Sequence, residues 1–140
     1  MPGRPAPSRR TVLRSAAVAP VAGVGAAACS PGERPDPGRL TEPVDLGSEK
    51  EVAQGDAKLY REQKVVVSRA ADGSLKAYST VCTHAGCPMT KLERTTLTCF
   101  CHGSRFDATT GEVLDAPATV PLKELPVQID NGRIVVGPEA

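Results

Sequence analysis

Four of the chain's five cysteines and both of its histidines fall in two hexads, Cys82-Thr83-His84-Ala85-Gly86-Cys87 and Cys99-Phe100-Cys101-His102-Gly103-Ser104. The histidines lie eighteen residues apart. Together the hexads spell C-x-H…C-x-x-H, with one additional cysteine beside each half. C-x-H puts a thiolate and an imidazole on one tight loop, close enough to share a metal, and C-x-x-H does the same on a second loop. Two kinds of centre use such a set. One is a closed, redox-inert tetrahedral Cys2His2 zinc site. The other is a two-iron, two-sulfide cluster with two cysteines on one iron and two histidines on the other. Ligand chemistry alone leaves both open.

The segments that must position these loops read as β-structure. From Val44 onward, short β-prone runs alternate with turn signals, and no window carries a helical period. Val65-Val66-Val67-Ser68 and Leu75-Lys76-Ala77-Tyr78 flank Ala71-Asp72-Gly73-Ser74, where Asp-Gly supplies the positive φ of a tight reversal. Val127-Gln128-Ile129-Asp130 and Arg133-Ile134-Val135-Val136 enclose Asn131-Gly132, the strongest short hairpin signal. Six or more strands at this spacing predict an all-β fold, an antiparallel sandwich or small barrel with the two hexads on loops at one end. Tryptophan is absent and aromatics are scarce, so the core rests on Val, Leu, Ile and Ala. A domain of about a hundred residues buries a modest core, so a metal centre or cross-link weighs more than usual in its stability.

The hexads CTHAGC and CFCHGS, with the following Arg105-Phe106-Asp107, resemble the Rieske iron–sulfur family over about residues 44–137. The resemblance implies a [2Fe-2S] cluster with Cys82 and Cys99 on one iron and His84 and His102 on the other. It also implies that the additional cysteines, Cys87 and Cys101, form a disulfide bridging the two loops, which favours the cluster over zinc. Ser104 matches a serine whose hydroxyl donates to a bridging sulfide, a bond that raises the potential. Phe106 stands where quinol-oxidising members usually have Tyr, whose hydroxyl bonds a cysteine sulfur; its loss should lower the potential. Asp115 to Leu122 resembles the loop that covers the cluster through Pro117, with Ala116 replacing a common Gly. Phe100 replaces a common Pro, as a packing residue or a shield for the cluster. The fourteen residues between His84 and Cys99 are slightly fewer than is usual. Independently of the resemblance, two thiolates and two neutral imidazoles carry less negative charge than four thiolates, which eases electron uptake. Unused imidazole nitrogens, if exposed, can couple electron to proton transfer.

The N-terminus reads as an address. Ser8-Arg9-Arg10-Thr11-Val12-Leu13-Arg14 resembles a twin-arginine export signal and precedes a small apolar run, Ser15 to Ala28. That run is shorter than the roughly 20 residues that span a bilayer as a helix. Ala26-Ala27-Ala28-Cys29 satisfies a cleavage rule and resembles a lipobox. Cys29, the odd cysteine, is the expected lipidation site, and two acyl chains would suffice for stable anchoring. The expected organisation is thus a signal over residues 1–29, a Pro/Gly-rich linker over 30–43 and the redox domain over 44–137. The expected location is the extracytoplasmic membrane face, or the exterior if the signal is only cleaved. An oxidising compartment there suits the disulfide.

Residues 1–28 hold four arginines and no acid, and without them thirteen basic residues face sixteen acidic ones. That balance argues against nucleic-acid binding. A Rieske-type oxygenase needs a second, mononuclear iron with two further histidines, and the chain has none to spare. A cytoplasmic ferredoxin normally lacks both the disulfide cysteines and the signal. The expected role is therefore a one-electron carrier or accessory redox subunit, with no substrate site of its own. Its partner would be a redox protein donor or acceptor, such as a quinol oxidoreductase or cytochrome. The alternative is the iron–sulfur subunit of a cytochrome bc-type complex, which normally keeps a transmembrane helix and tends to carry the Tyr absent here.

Overall fold

The computed structural model describes residues 39–138; the segment read as an export signal, Cys29 and residues 30–38 of the stretch read as a linker lie outside the described residues. In chain order the strands are β1 (Val44–Ser48), β2 (Ala57–Tyr60), β3 (Val65–Arg69), β4 (Leu75–Ser79), β5 (Lys91–Glu93), β6 (Thr96–Thr98), β7 (Arg105–Asp107), β8 (Val113–Asp115), β9 (Glu124–Leu125), β10 (Val127–Asp130) and β11 (Arg133–Val136). The only helical element among the described residues is a 3-10 turn, Glu49–Glu51, capped by the Ser48 hydroxyl. Three antiparallel sheets result, in the orders β1-β11-β10, β2-β3-β4-β9 and β5-β6-β7-β8.

Both predicted hairpins form. β3 and β4 pair from Val65↔Ser79 to Arg69↔Leu75. Their turn is held by Asp72, whose carboxylate accepts from the amide and the hydroxyl of Ser74 at 2.9 and 2.6 Å. β10 and β11 close through Asn131 and Gly132, both at positive φ (48° and 76°). That is the geometry whose twist matches paired strands.

The second sheet is the middle layer, and its sequence shows why. Neighbouring side chains on a strand point to opposite faces. Val65, Val67 and Ala77 join Leu46, Leu125, Ile134 and Val136 in one buried cluster. Val66 and Tyr78 join Leu97, Phe106, Met89 and Leu122 in another. A strand covered on both faces needs no polar alternation, so Val65-Val66-Val67 is an unbroken apolar run. Leu40 also packs against the first cluster, so ordered packing begins inside the stretch read as linker.

The third sheet, inserted between β4 and β9, carries the two hexads. Its strands are three residues long and show no readable period. It is fastened to the middle sheet at Gly111, whose φ is 75°. The Gly111 amide donates to Asp107 O (2.8 Å) and its carbonyl accepts from Leu122 N (2.7 Å). A Cβ there would lie 2.6 Å from Tyr78 Cε1, inside the ring's own space. Gly111→Ala therefore combines an unfavourable φ with overpacking. Thermal or denaturant unfolding should show a loss of roughly 2–4 kcal/mol, and a variant as stable as the wild type would contradict this packing.

Candidate metal centre

The two hexads fold into loops with the same backbone scheme. In the first, Cys82 N donates to Cys87 O and Gly86 N donates to Cys82 O, both at 2.8 Å. In the second, Cys99 N donates to Ser104 O at 2.9 Å and Gly103 N donates to Cys99 O at 3.0 Å. The repeated spacing, first to sixth and fifth to first residue, requires a left-handed fifth position. Gly86 and Gly103 supply it with φ of 76° and 86°. An added Cβ would meet nothing within 4 Å at either, so the conformation rather than space requires glycine.

Each loop turns its first cysteine inward and its histidine outward. Cys82 and Cys99 are buried, free thiols within the core that contains Phe106 and Leu97. His84 and His102 are exposed, with ring centroids 4.8 Å apart in an edge-to-face arrangement. A disulfide joins Cys87 to Cys101, fourteen residues away in sequence, and so ties loop to loop. The sulfurs of Cys87, Cys99 and Cys101 lie within 4.8 Å of one another. Two of those three are already bonded to each other, so this triplet places the cross-link against Cys99 rather than forming a ligand set. Burial pushes the Cys99 thiol above its ordinary range. Backbone hydrogen bonds with Cys101 and His102 pull it partly back, while the Cys82 thiol beside it adds to the rise. Two buried thiols and two adjacent imidazoles fit a centre with one sulfur-bound and one nitrogen-bound iron.

The third segment closes over both loops. Ser104 is fully buried, and its hydroxyl oxygen accepts from the amide of Ala118 at 3.0 Å, which leaves its proton to donate elsewhere. The Thr83 hydroxyl donates to Val120 O at 2.6 Å. Arg105, next to Ser104, pairs with Asp115 at the start of the segment (3.0 Å). Pro117 follows a cis bond from Ala116 and is exposed. Phe106 is completely buried in the core next to the thiols, and its ring brings no hydroxyl. Phe100 is 68% exposed, so the packing role considered for it is not what the fold does. Sequence reasoning passed over Thr83 because its partner, a backbone carbonyl 37 residues away, has no sequence signature.

The family described as the Rieske [2Fe-2S] domain matches residues 42–126. The chain belongs to that family. It is 34% identical over 101 residues to the cytochrome b6-f complex iron–sulfur subunit of Chlorobaculum tepidum, covering 70% of this chain and 55% of that one. It thus spans about half the length of that curated relative. It is also 34% identical over 97 residues to the ferredoxin component of the 2,4-dinitrotoluene dioxygenase system of a Burkholderia strain, covering 66% of this chain and 92% of the ferredoxin. Among solved structures, the plasma-membrane Rieske protein of Synechocystis aligns with a TM-score of 0.52 at 27% identity, covering 67% of this chain and 98% of the other. The protein is a Rieske electron-transfer protein, and its cofactor is a [2Fe-2S] cluster.

The Thr83–Val120 bond anchors the covering segment to the first loop. Thr83→Val should speed amide exchange at Ala118, Thr119 and Val120 by roughly five- to tenfold, the equivalent of a lost hydrogen bond worth about 1 kcal/mol. Thr83→Ser should restore protection. Unchanged exchange in the valine variant would show that the segment is held by other contacts.

Proposed function

We propose that this Rieske protein is an exported one-electron carrier, or an accessory redox subunit, anchored by lipid on Cys29 at the extracytoplasmic face of the membrane. Cys82 and Cys99 are assigned to one iron of the cluster and His84 and His102 to the other. The observation that carries this assignment is the inside-out division of the donors, with free thiols buried and imidazoles exposed on two loops of one scheme. When bound, the cluster accepts and passes on a single electron. The buried thiols hold one side of it away from water, and the exposed imidazoles form the short route to a partner. Ser104, whose hydroxyl oxygen accepts from the Ala118 amide, keeps its hydroxyl proton free to donate.

A second reading, an iron–sulfur subunit of a cytochrome bc-type complex, is favoured by the similarity to the Chlorobaculum subunit. Phe106 argues for the first, because this position lacks the tyrosine hydroxyl expected of quinol-oxidising members. Stoichiometric copurification with b- and c-type cytochromes from membranes would favour the second. Intact-mass analysis of membrane-extracted protein should find a diacylated N-terminal Cys29; an unmodified thiol would refute the anchor.

The loaded protein should absorb in the visible and give a paramagnetic signal on reduction. Its potential should fall within the roughly −150 to +300 mV span of Rieske centres, positive but below that of typical quinol-oxidising homologues. In protein-film voltammetry Ser104→Ala should lower the potential and Phe106→Tyr should raise it. Each shift should be about 20–60 mV, the one-electron equivalent of a hydrogen bond worth about 0.5–1.5 kcal/mol. A colourless protein after reconstitution, or a wild-type potential equal to that of the quinol-oxidising homologues, would sink this reading.

A further inference from the structure

The two hexad loops are mounted differently. The second springs from neighbouring strands of one sheet, β6 and β7, which pair at Thr98↔Arg105 on either side of it. The first runs from β4 of the middle sheet to β5 of the third, so its two ends belong to different sheets. How the first loop stands against the second therefore depends on how the third sheet is fixed over the middle one. The turn joining β2 to β3, Arg61 to Lys64, meets that junction on both sides. The Lys64 carbonyl accepts from the amide of Thr80 at 2.8 Å, where the first loop begins. The Arg61 Nε donates to the carbonyl of Thr90 at 2.9 Å, where that loop ends. Between these two contacts the neck of the loop is closed by the Met89 amide on Thr80 O (2.8 Å) and by the Val81↔Pro88 bridge. The turn is itself tied off, with Lys64 at a φ of 56° and its amide donating to Arg61 O at 3.3 Å.

The Thr90 contact reaches further than the first loop. The next residue, Lys91, pairs with Thr98, and Thr98 with Arg105. One row of the third sheet thus runs from the end of the first loop to both ends of the second. The Lys91 ammonium also lies 5.7 Å from the ring centroid of Phe100 in the second hexad. Leu59 on β2 and Leu92 on β5 pack against the buried cluster that holds the free thiols, but apolar contact is non-directional. A hydrogen bond fixes both a length and a direction. We propose that Arg61 is a positioning residue for the cluster. Its bond to Thr90 sets the row that carries the second loop against the turn that holds the entry of the first, and so sets how His84 stands against His102. The Nε donor does this rather than the charge, since Arg61 is exposed and its charge is screened. The inference rests on the assignment of both histidines to one iron, and adds to it a residue outside both hexads.

The test uses the full-length, cluster-loaded protein. Gln carries Nε2 where Arg carries Nε, on the same Cδ, so Arg61→Gln keeps the donor and removes the charge, whereas Arg61→Met removes both. In Arg61→Met, amide exchange at Met89, read by mass spectrometry, should be roughly three- to tenfold faster, the equivalent of one hydrogen bond of ordinary net strength. Exchange along β11 should be unchanged. In the reduced protein, the nitrogen hyperfine couplings of the two imidazoles should shift in Arg61→Met and return to wild-type values in Arg61→Gln. Excess chelator should bleach the methionine variant faster to a similar degree, and the glutamine variant at the wild-type rate. Unchanged exchange at Met89, or an equal acceleration along β11, would overturn the clamp. Couplings that stay at wild type while the neck opens would overturn the positioning role, and couplings that shift alike in both variants would assign the effect to the charge. If the reduced wild-type protein shows no nitrogen couplings, the histidine assignment and this inference fail together, whereas failure confined to the Arg61 variants leaves that assignment standing.

Discussion

Two thiols must be buried and two imidazoles exposed on loops of six residues each, and most of the rest of the structure serves that requirement. A loop so short can reverse the direction of its side chains only by passing through a left-handed residue, which Gly86 and Gly103 provide. The carbonyls of Cys82 and Cys99 then accept from those glycine amides, so each buried cysteine is pinned by its own loop. Neither loop touches the other through secondary structure. The Cys87–Cys101 disulfide supplies that link and lies against Cys99.

Behind the loops the middle sheet works as a two-sided floor. One face of β3 and β4 packs against β11 and β1, and the other receives Phe106, Leu97 and the two thiols. The site is thus part of a hydrophobic core rather than a pocket laid over one. That arrangement dehydrates the sulfur side, pushes the Cys99 thiol upward and gives the buried Ser104 hydroxyl a defined acceptor role. The nitrogen side stays in water. A centre held by these four residues, as proposed, would sit between two dielectric environments, with the electron route on the wet side and the structural bonds on the dry one.

Much of this was legible before the structure. The hairpin at Asn131-Gly132 followed from two residues whose side chains tolerate positive φ, and it formed in that register. The Asp72-Gly73 turn followed from Gly73 alone, which takes the positive φ there (88°). The third sheet was not legible, because three-residue strands are too short for alternation to emerge and their pairing depends on distant partners. Thr83 and Ala118 were invisible because each acts through a backbone group that every residue possesses. Phe100 was readable as an oddity, but whether it was packed or bare could not be read from its neighbours in sequence.

The sequence by itself determined the donor inventory: two imidazoles, four clustered thiols, and glycines at the fifth position of both hexads. Those are properties of residue identity and spacing, and no fold could add to them. Tertiary structure decided what the inventory became. By count alone, a single disulfide among four cysteines has six possible pairings; the packing of two loops brought Cys87 to Cys101 and left Cys82 and Cys99 free. It also decided which side of the centre is dry and which is wet, and that Phe100 stands in solvent. Burial is set by what distant segments lay over a residue, and that is known only when the chain has closed upon itself.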